Sequence, residues 1–206
     1  MFCIFLQKFI VYIKVIITIS GKAGSGKSTV ARLLSEKLNL QHYSIGDLMR
    51  AMASEKGLSL IELNKLAERD SSIDVELDNR LKALGETKDN FVVDGRLTAF
   101  FIPKAQIRIF LDANVQVRAQ RILKDRRKQE KNASLKEAIA NIKKREESEK
   151  KRYKKYYGVN YLDKRLYNYA VNTTKMDPQQ VADKIIKSIR KEHCAHIITH
   201  KSFLTI

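Results

Sequence analysis

V-I-I-T-I-S-G-K-A-G-S-G-K-S-T, residues 15–29, is the stretch that decides the fold. Its first half is apolar and β-branched, as a buried strand requires. Its second half carries the spacing G-x-x-x-x-G-K-S through Gly21, Gly26, Lys27 and Ser28. Gly21, Gly24 and Gly26 let the backbone turn so that successive N–H groups point at one anion. A helix is expected from residue 29 to about residue 38, with Val30, Leu33, Leu34 and Leu38 on one face. Its N-terminal donors and dipole would add to the pull on a phosphate. A glycine-rich turn alone needs no ligand, but the full motif between a strand and an amphipathic helix predicts a phosphate-binding loop. Lys27 is then expected at the β- and γ-phosphates, and the Ser28 hydroxyl on Mg²⁺.

The chain has 206 residues, enough for one sizeable core, and its 44% hydrophobic content excludes a disordered polymer. A net charge of +17 would attract polyanions, either nucleotides or nucleic acid; a lysine-rich solvated surface would give the same number. Two cysteines, Cys3 and Cys194, make no disulfide framework and suit a reducing, cytoplasmic setting. Residues 1–12 are apolar, but Lys8 and Lys14 interrupt the run and no small-residue cleavage site follows. They read as an extension and not as a membrane anchor. The tail 193–206 holds His193, Cys194, His196 and His200, metal-binding types without a predicted frame around them, so no zinc site is expected.

Further strands are expected at 40–44, 91–93, 107–111 and 167–171. Helices are expected from near Asp47, from about Val115 and from Pro178. Between Asp47 and about residue 84 the apolar positions Leu60, Leu63, Leu66, Ile73, Leu77, Leu81 and Leu84 recur at three- and four-residue steps, which describes a helical insert. Strands separated by helices imply parallel pairing and an open α/β sheet, whose ligands collect at the carboxyl ends near Gly21, Gly46, Asp94 and Asp112. Residues 126–158 are rich in lysine, arginine and glutamate with a thin stripe of Leu135, Ile139 and Ile142, and predict a mostly exposed helix that moves easily.

Asp94, ending an apolar strand, could hold Mg²⁺ through water or simply cap a turn. Arg50 and Arg96, just beyond two strand ends, could converge on a second anion or lie on the surface. Arg145 and Arg152 are seven residues apart and share a helix face, with Glu149 between them to orient both guanidinium groups. Such a face suits the charge of a transferring phosphoryl group, and equally an ion-paired solvated helix. Tyr153, Tyr156 and Tyr157 could stack on bases in an RNA-associated ATPase, or pack the helix onto the domain.

Taken together, these motifs resemble the nucleoside-monophosphate kinases, and most closely the short archaeal type of cytidylate kinase. The matching pieces run in order over roughly residues 15–190: I-T-I-S-G-K-A-G-S-G-K-S-T at 17–29, Y-S-I-G-D at 43–47 with Arg50 following, and I-D-V-E-L-D at 73–78. After them come V-V-D-G-R at 92–96, R-E-E-S-E-K-K-R-Y-K-K-Y-Y-G at 145–158 and A-V-N-T-T at 170–174. The resemblance implies a P-loop three-layer α/β fold with a five-stranded parallel sheet, a helical monophosphate-binding insert at about 46–84 and a mobile helical lid at about 126–160. These lie within a domain spanning 14–192, flanked by extensions 1–13 and 193–206.

It further implies ATP-dependent phosphorylation of CMP and dCMP with Mg²⁺, by a cytoplasmic monomer whose partners are small nucleotides and neither nucleic acid nor membrane. Carried over by position, Gly21, Lys22, Ala23, Gly24, Ser25, Gly26, Lys27, Ser28 and Thr29 bind the ATP phosphates, and Arg121 lies against adenine. Ser44, Asp47, Arg50, Asp74 and Arg96 shape the monophosphate site. Lys27, Arg145 and Arg152 act on the transferring group, and Ser28 and Asp94 hold the metal. The pattern D-G-F-P-R of adenylate kinases is absent, since Arg96 directly follows Gly95, which argues against AMP as the main acceptor. Kinases for other small acceptors, such as shikimate, share the mechanism and differ in the pocket.

Overall fold

A computed structural model describes residues 15–125 and 134–201, with backbone alone beyond residue 191. The extension 1–13 lies outside the described residues, as do the histidine and cysteine side chains of the tail and the first part of the charged segment. Five parallel strands form one sheet in the order β2-β3-β1-β4-β5. They are β1 (Ile16–Gly21), β2 (Gln41–Ser44), β3 (Phe91–Asp94), β4 (Ile107–Asp112) and β5 (Tyr169–Asn172). β1 is central and is buried throughout. It pairs with β3 through Ile17 and Val92, and with β4 through Ile17 and Ile107. The chain leaves β1 for β2 and β3 on one side and crosses to β4 and β5 on the other, which puts a crevice beyond its carboxyl end.

Alternation along the strands sorts their side chains into two layers. Ile17, Ile19, Val92, Ile109 and Leu111 face α1 (Lys27–Leu38) and α8 (Pro178–Lys201), which add Val30, Leu34, Val181 and Ile185. Ile16, Phe91, Val93 and Phe110 face the other way, towards α4 (Ser72–Thr87), α5 (Thr98–Phe101) and α7 (Leu135–Tyr157), which supply Leu81, Phe101 and Tyr153. The expected insert is a helical unit with its own core: α2 (Ile45–Glu55), α3 (Leu60–Ala67) and α4 bury Met52, Leu60, Leu63, Ile73 and Leu77 together. A capping box at Ser59 and Glu62 starts α3, each side chain bonding the other's backbone N–H at 3.2 and 2.7 Å.

Three expectations shift. The helix after β2 starts at Ile45 and not near Asp47, because the Ser44 hydroxyl caps it by accepting from the Asp47 N–H at 3.3 Å. The last strand begins at Tyr169 instead of residue 167, the preceding residues forming a 3₁₀ turn at Lys164–Leu166. The charged helix α7 is less exposed than its composition suggests: Ala138 and Ile142 pack on Ala119 of α6 (Val115–Lys124), and Ser148, Glu149, Arg152 and Tyr153 are buried. A narrow stripe suffices because α6, α3 and α5 approach it from different sides.

Candidate active site

The phosphate loop joins β1 to α1 as its spacing requires. Gly21 sits at φ +144°, where a Cβ would stand 2.1 Å from the Leu111 carbonyl oxygen of β4, so no other residue fits. Gly24, at φ +73°, also passes close to α6, where a Cβ would stand 2.6 Å from the Arg118 carbonyl oxygen. The loop forms one wall of a cavity of about 750 Å³ that extends over the strand ends to α2, α4 and α7.

Residues 23–29 line this cavity, as do Arg121, Asp47, Arg50, Asp74, Asp94, Arg96 and Arg145. Gly21, Lys22, Ser44 and Arg152, expected with them, stand behind the wall. Lys22 pairs with Asp112 at 3.0 Å, and Ser44 caps α2. Arg121 is fixed at the cavity edge by bonds to the Thr173 carbonyl at 2.7 Å and hydroxyl at 2.9 Å. Arg50 is paired with Asp47 one turn earlier on α2.

Arg152 lies with its Nε 3.1 Å from Asp74 Oδ2 and donates to the Asn64 carbonyl at 2.7 Å. Seven residues along a helix carry a side chain about 10 Å farther, so a shared face does not bring Arg145 and Arg152 to one point. Glu149 accordingly bridges a different pair from the one expected. It accepts from Arg145 Nε at 2.9 Å and from Arg96 Nε at 2.7 Å, linking α7 to the segment after β3.

Charges in this wall are tightly coupled. Burial alone would raise the Glu149 carboxyl, but Arg96 and Arg145 outweigh it and hold it down at about 2. Burial likewise opposes the charge on Arg96, and Glu149 overrides it, leaving Arg96 firmly protonated. The Lys27 ammonium is 8% exposed and donates to the Lys22 carbonyl at 2.8 Å. Burial first, then Arg96, pushes its pKa well below the usual lysine range, against the weaker pull of Asp94 and Glu149. An anion in the cavity would favour the charged form.

Among the buried side-chain atoms of the described residues that lack a hydrogen-bond partner are Ser25 Oγ in the phosphate loop and Arg96 Nη2 across the cavity. Donors left unmade at such a cost mark places that a ligand fills. Ser28 Oγ donates to Asp94 Oδ2 at 2.7 Å, while His42 Nε2 bonds Oδ1 at 2.8 Å. A hydroxyl and a carboxylate side by side are the hard oxygen donors that Mg²⁺ takes.

Several residues here escaped the reading of the sequence. His42 is in β2, whose Ser44 pairs with Asp94 of β3, and only that register brings it to the carboxylate. Arg118 is 4% exposed and joins the Ala23 carbonyl at 3.1 Å to Glu146 of α7 at 2.5 Å. Asp78 lines the cavity one helical turn after Asp74, a spacing that could have signalled it. The tyrosines considered for base stacking are committed to packing: Tyr153 is buried, the Tyr157 ring meets Phe101 edge-on at 5.2 Å, and Tyr156 bonds the Glu68 carbonyl at 3.3 Å. Among the described residues no helix is long and apolar enough to cross a membrane.

Residues 16–175 match the family described as cytidylate kinase-like. The chain is 39% identical over 175 residues to a cytidylate kinase of Halobacterium salinarum, covering 84% of this chain and 88% of that one. It is 43% identical to a cytidylate kinase of Natronomonas pharaonis, over 81% and 84% of the two chains. Among solved structures, a shikimate kinase from Bacteroides thetaiotaomicron superposes with a TM-score of 0.60 at 16% identity, covering 88% of this chain and 99% of that one. The last likeness is one of fold.

Proposed function

The chain belongs to the cytidylate kinase-like family, and from that premise we propose that it transfers the γ-phosphoryl group of ATP to a phosphate oxygen of CMP, with dCMP as a second acceptor. The observation that carries this is the Arg96 Nη2 donor, buried and unpartnered across one cavity from the phosphate loop. A hydrolase needs one anion site, whereas a transferase needs two that face each other.

In this reading loop residues 23–29 cradle the donor phosphates, Lys27 bridges the β- and γ-oxygens, and Arg121 lies against the adenine. Arg96 and Arg50 hold the acceptor phosphate, with Asp47 orienting Arg50. The acceptor oxygen attacks the γ-phosphorus in line, the bond to the β-phosphate oxygen breaks, and ADP leaves with that electron pair. The acceptor is already ionised, so no general base and no covalent enzyme intermediate are required. Arg145 neutralises charge on the equatorial oxygens. Arg152 positions α7 over the acceptor through Asp74. Mg²⁺ on Ser28 and, through water, on Asp94 would neutralise the β- and γ-phosphates.

Helices α2–α4 are in this reading the acceptor insert, and α7 belongs to the lid of a monomer acting on cytoplasmic nucleotides. The test is ADP formation by the purified protein with each of CMP, dCMP, UMP, AMP and GMP. Turnover should require a monophosphate and be fastest with CMP. ATP consumption that is indifferent to CMP and stimulated by RNA would overturn the reading.

A further inference from the structure

Six carboxylates line the cavity; Asp47 pairs with Arg50, Asp125 also has a partner, and three more are matched by the contacts above. Glu149 holds two arginines, Asp74 faces Arg152, and Asp94 accepts from Ser28 and His42. Asp78 differs. It is 7% exposed, lines the cavity beside Leu77 and Leu81 of α4, and receives one hydrogen bond, from the Tyr157 hydroxyl to Oδ2. No lysine or arginine forms an ion pair with it among the described residues, and Lys82, one turn later on α4, is the weakest of the influences on its charge. Burial pushes its carboxyl up to about 6, with the Tyr157 bond opposing.

A buried carboxylate without an ion-pair partner needs N–H or O–H donors to offset its lost hydration. Tyr157 supplies one, and its ring is held by Phe101 and Tyr153, so the orientation of Asp78 is fixed from α7. The other donor must enter through the cavity. The neighbouring surface of Leu77, Leu81 and Met49 is apolar and suits the face of a flat ring. A ring edge that donates at this point completes the carboxylate. A ring edge that accepts would set two oxygens against each other.

We infer that Asp78, oriented by Tyr157, selects an acceptor whose base carries an exocyclic amino group over one with a carbonyl at that position. The inference rests on the monophosphate-kinase reading above and names the residue that turns it into a preference for cytosine over uracil. Asp78 is then a specificity-determining residue, remote from the transferring phosphoryl group. Rejection of the mismatched base follows from leaving the carboxylate unpaired, a cost that sites built on hydrogen bonds convert into large discrimination.

The test is kcat/KM for CMP and for UMP in the wild type, Asp78→Asn and Tyr157→Phe, with the KM for ATP measured in each. The wild type should favour CMP by at least about a hundredfold. Asp78→Asn, nearly isosteric and able to offer an N–H to a carbonyl, should lower that ratio at least about tenfold, with the KM for ATP unchanged. Tyr157→Phe, which leaves the carboxylate in place but frees its orientation, should give a smaller fall. An Asp78→Asn enzyme that keeps the wild-type ratio overturns the role of Asp78 and leaves the kinase assignment standing. A wild type that phosphorylates neither pyrimidine monophosphate overturns both.

Discussion

Arg152 Nε lies 3.1 Å from Asp74 Oδ2, and both side chains are almost fully buried, at 2% and 5% exposure. This pair ties α7 to α4, and the further bond from Arg152 to the Asn64 carbonyl ties it to α3. Removing one partner of a buried pair strands the other charge, so Arg152→Ala should cost about 3–5 kcal/mol in denaturant unfolding. Turnover should fall with it, because Arg145 rides on the same helix. Combining Arg152→Met with Asp74→Asn removes both charges and should recover part of the stability. A single variant as stable as the wild type would show that the pair does not hold α7 in place.

Lys27 presents the opposite balance. Its ammonium is buried among groups that disfavour its charge in the free protein, and its lowered pKa records that cost. Lys27→Met should therefore leave the thermal midpoint equal to or above that of the wild type, while kcat falls about a thousandfold. Both quantities come from one purified sample by scanning calorimetry and a coupled ADP assay. Turnover within tenfold of the wild type would remove Lys27 from the transfer step.

How much of this was legible beforehand depended on the range of the contact. The loop at 15–29, the parallel sheet and the insert declare themselves through local spacing and period, so their elements are placed within one to three residues. The partners of the charged residues do not. Glu149 sits between Arg145 and Arg152 in sequence, yet its second bond goes to Arg96, fifty-three positions away, because α7 crosses above the end of β3. His42 reaches Asp94 only through the β2–β3 register. Asp78 fell within the quoted I-D-V-E-L-D motif, but nothing local shows which of its acids meets a cation and which does not.

The Ser28 and Asp94 pair gives a prediction about metal. If these oxygens hold Mg²⁺, Asp94→Asn should raise the Mg²⁺ concentration for half-maximal velocity by about tenfold or more. The KM for CMP should change little, since Arg96 and Arg50 are untouched. Measured as velocity against free Mg²⁺ at fixed ATP, an unchanged midpoint would exclude Asp94 from the metal site. His42 bonds the same carboxylate at 2.8 Å, so His42→Ala should shift that midpoint in the same direction and by less.

Glu149 links acid stability to the site. Its pKa of about 2 stands below the ordinary 4.5, with Arg96 and Arg145 as the cause that outweighs burial. A carboxyl depressed on folding contributes stability that is complete above its unfolded value and is lost as pH falls through the folded one. The window is therefore from about pH 4.5 down to about pH 2, and the shift corresponds to about 3 kcal/mol at 1.36 kcal/mol per unit. Glu149→Gln should be less stable than the wild type at neutral pH and show a flatter decline across that window in chemical denaturation. Its kinetic effect should be larger than its effect on stability, because Arg96 and Arg145, proposed above to meet the acceptor phosphate and the transferring group, lose the carboxylate that links them. If the variant keeps the wild-type slope between pH 4.5 and 2, the carboxylate joining the two arginines is not what acid disrupts, and the coupling of α7 to the strand-end arginine has another source.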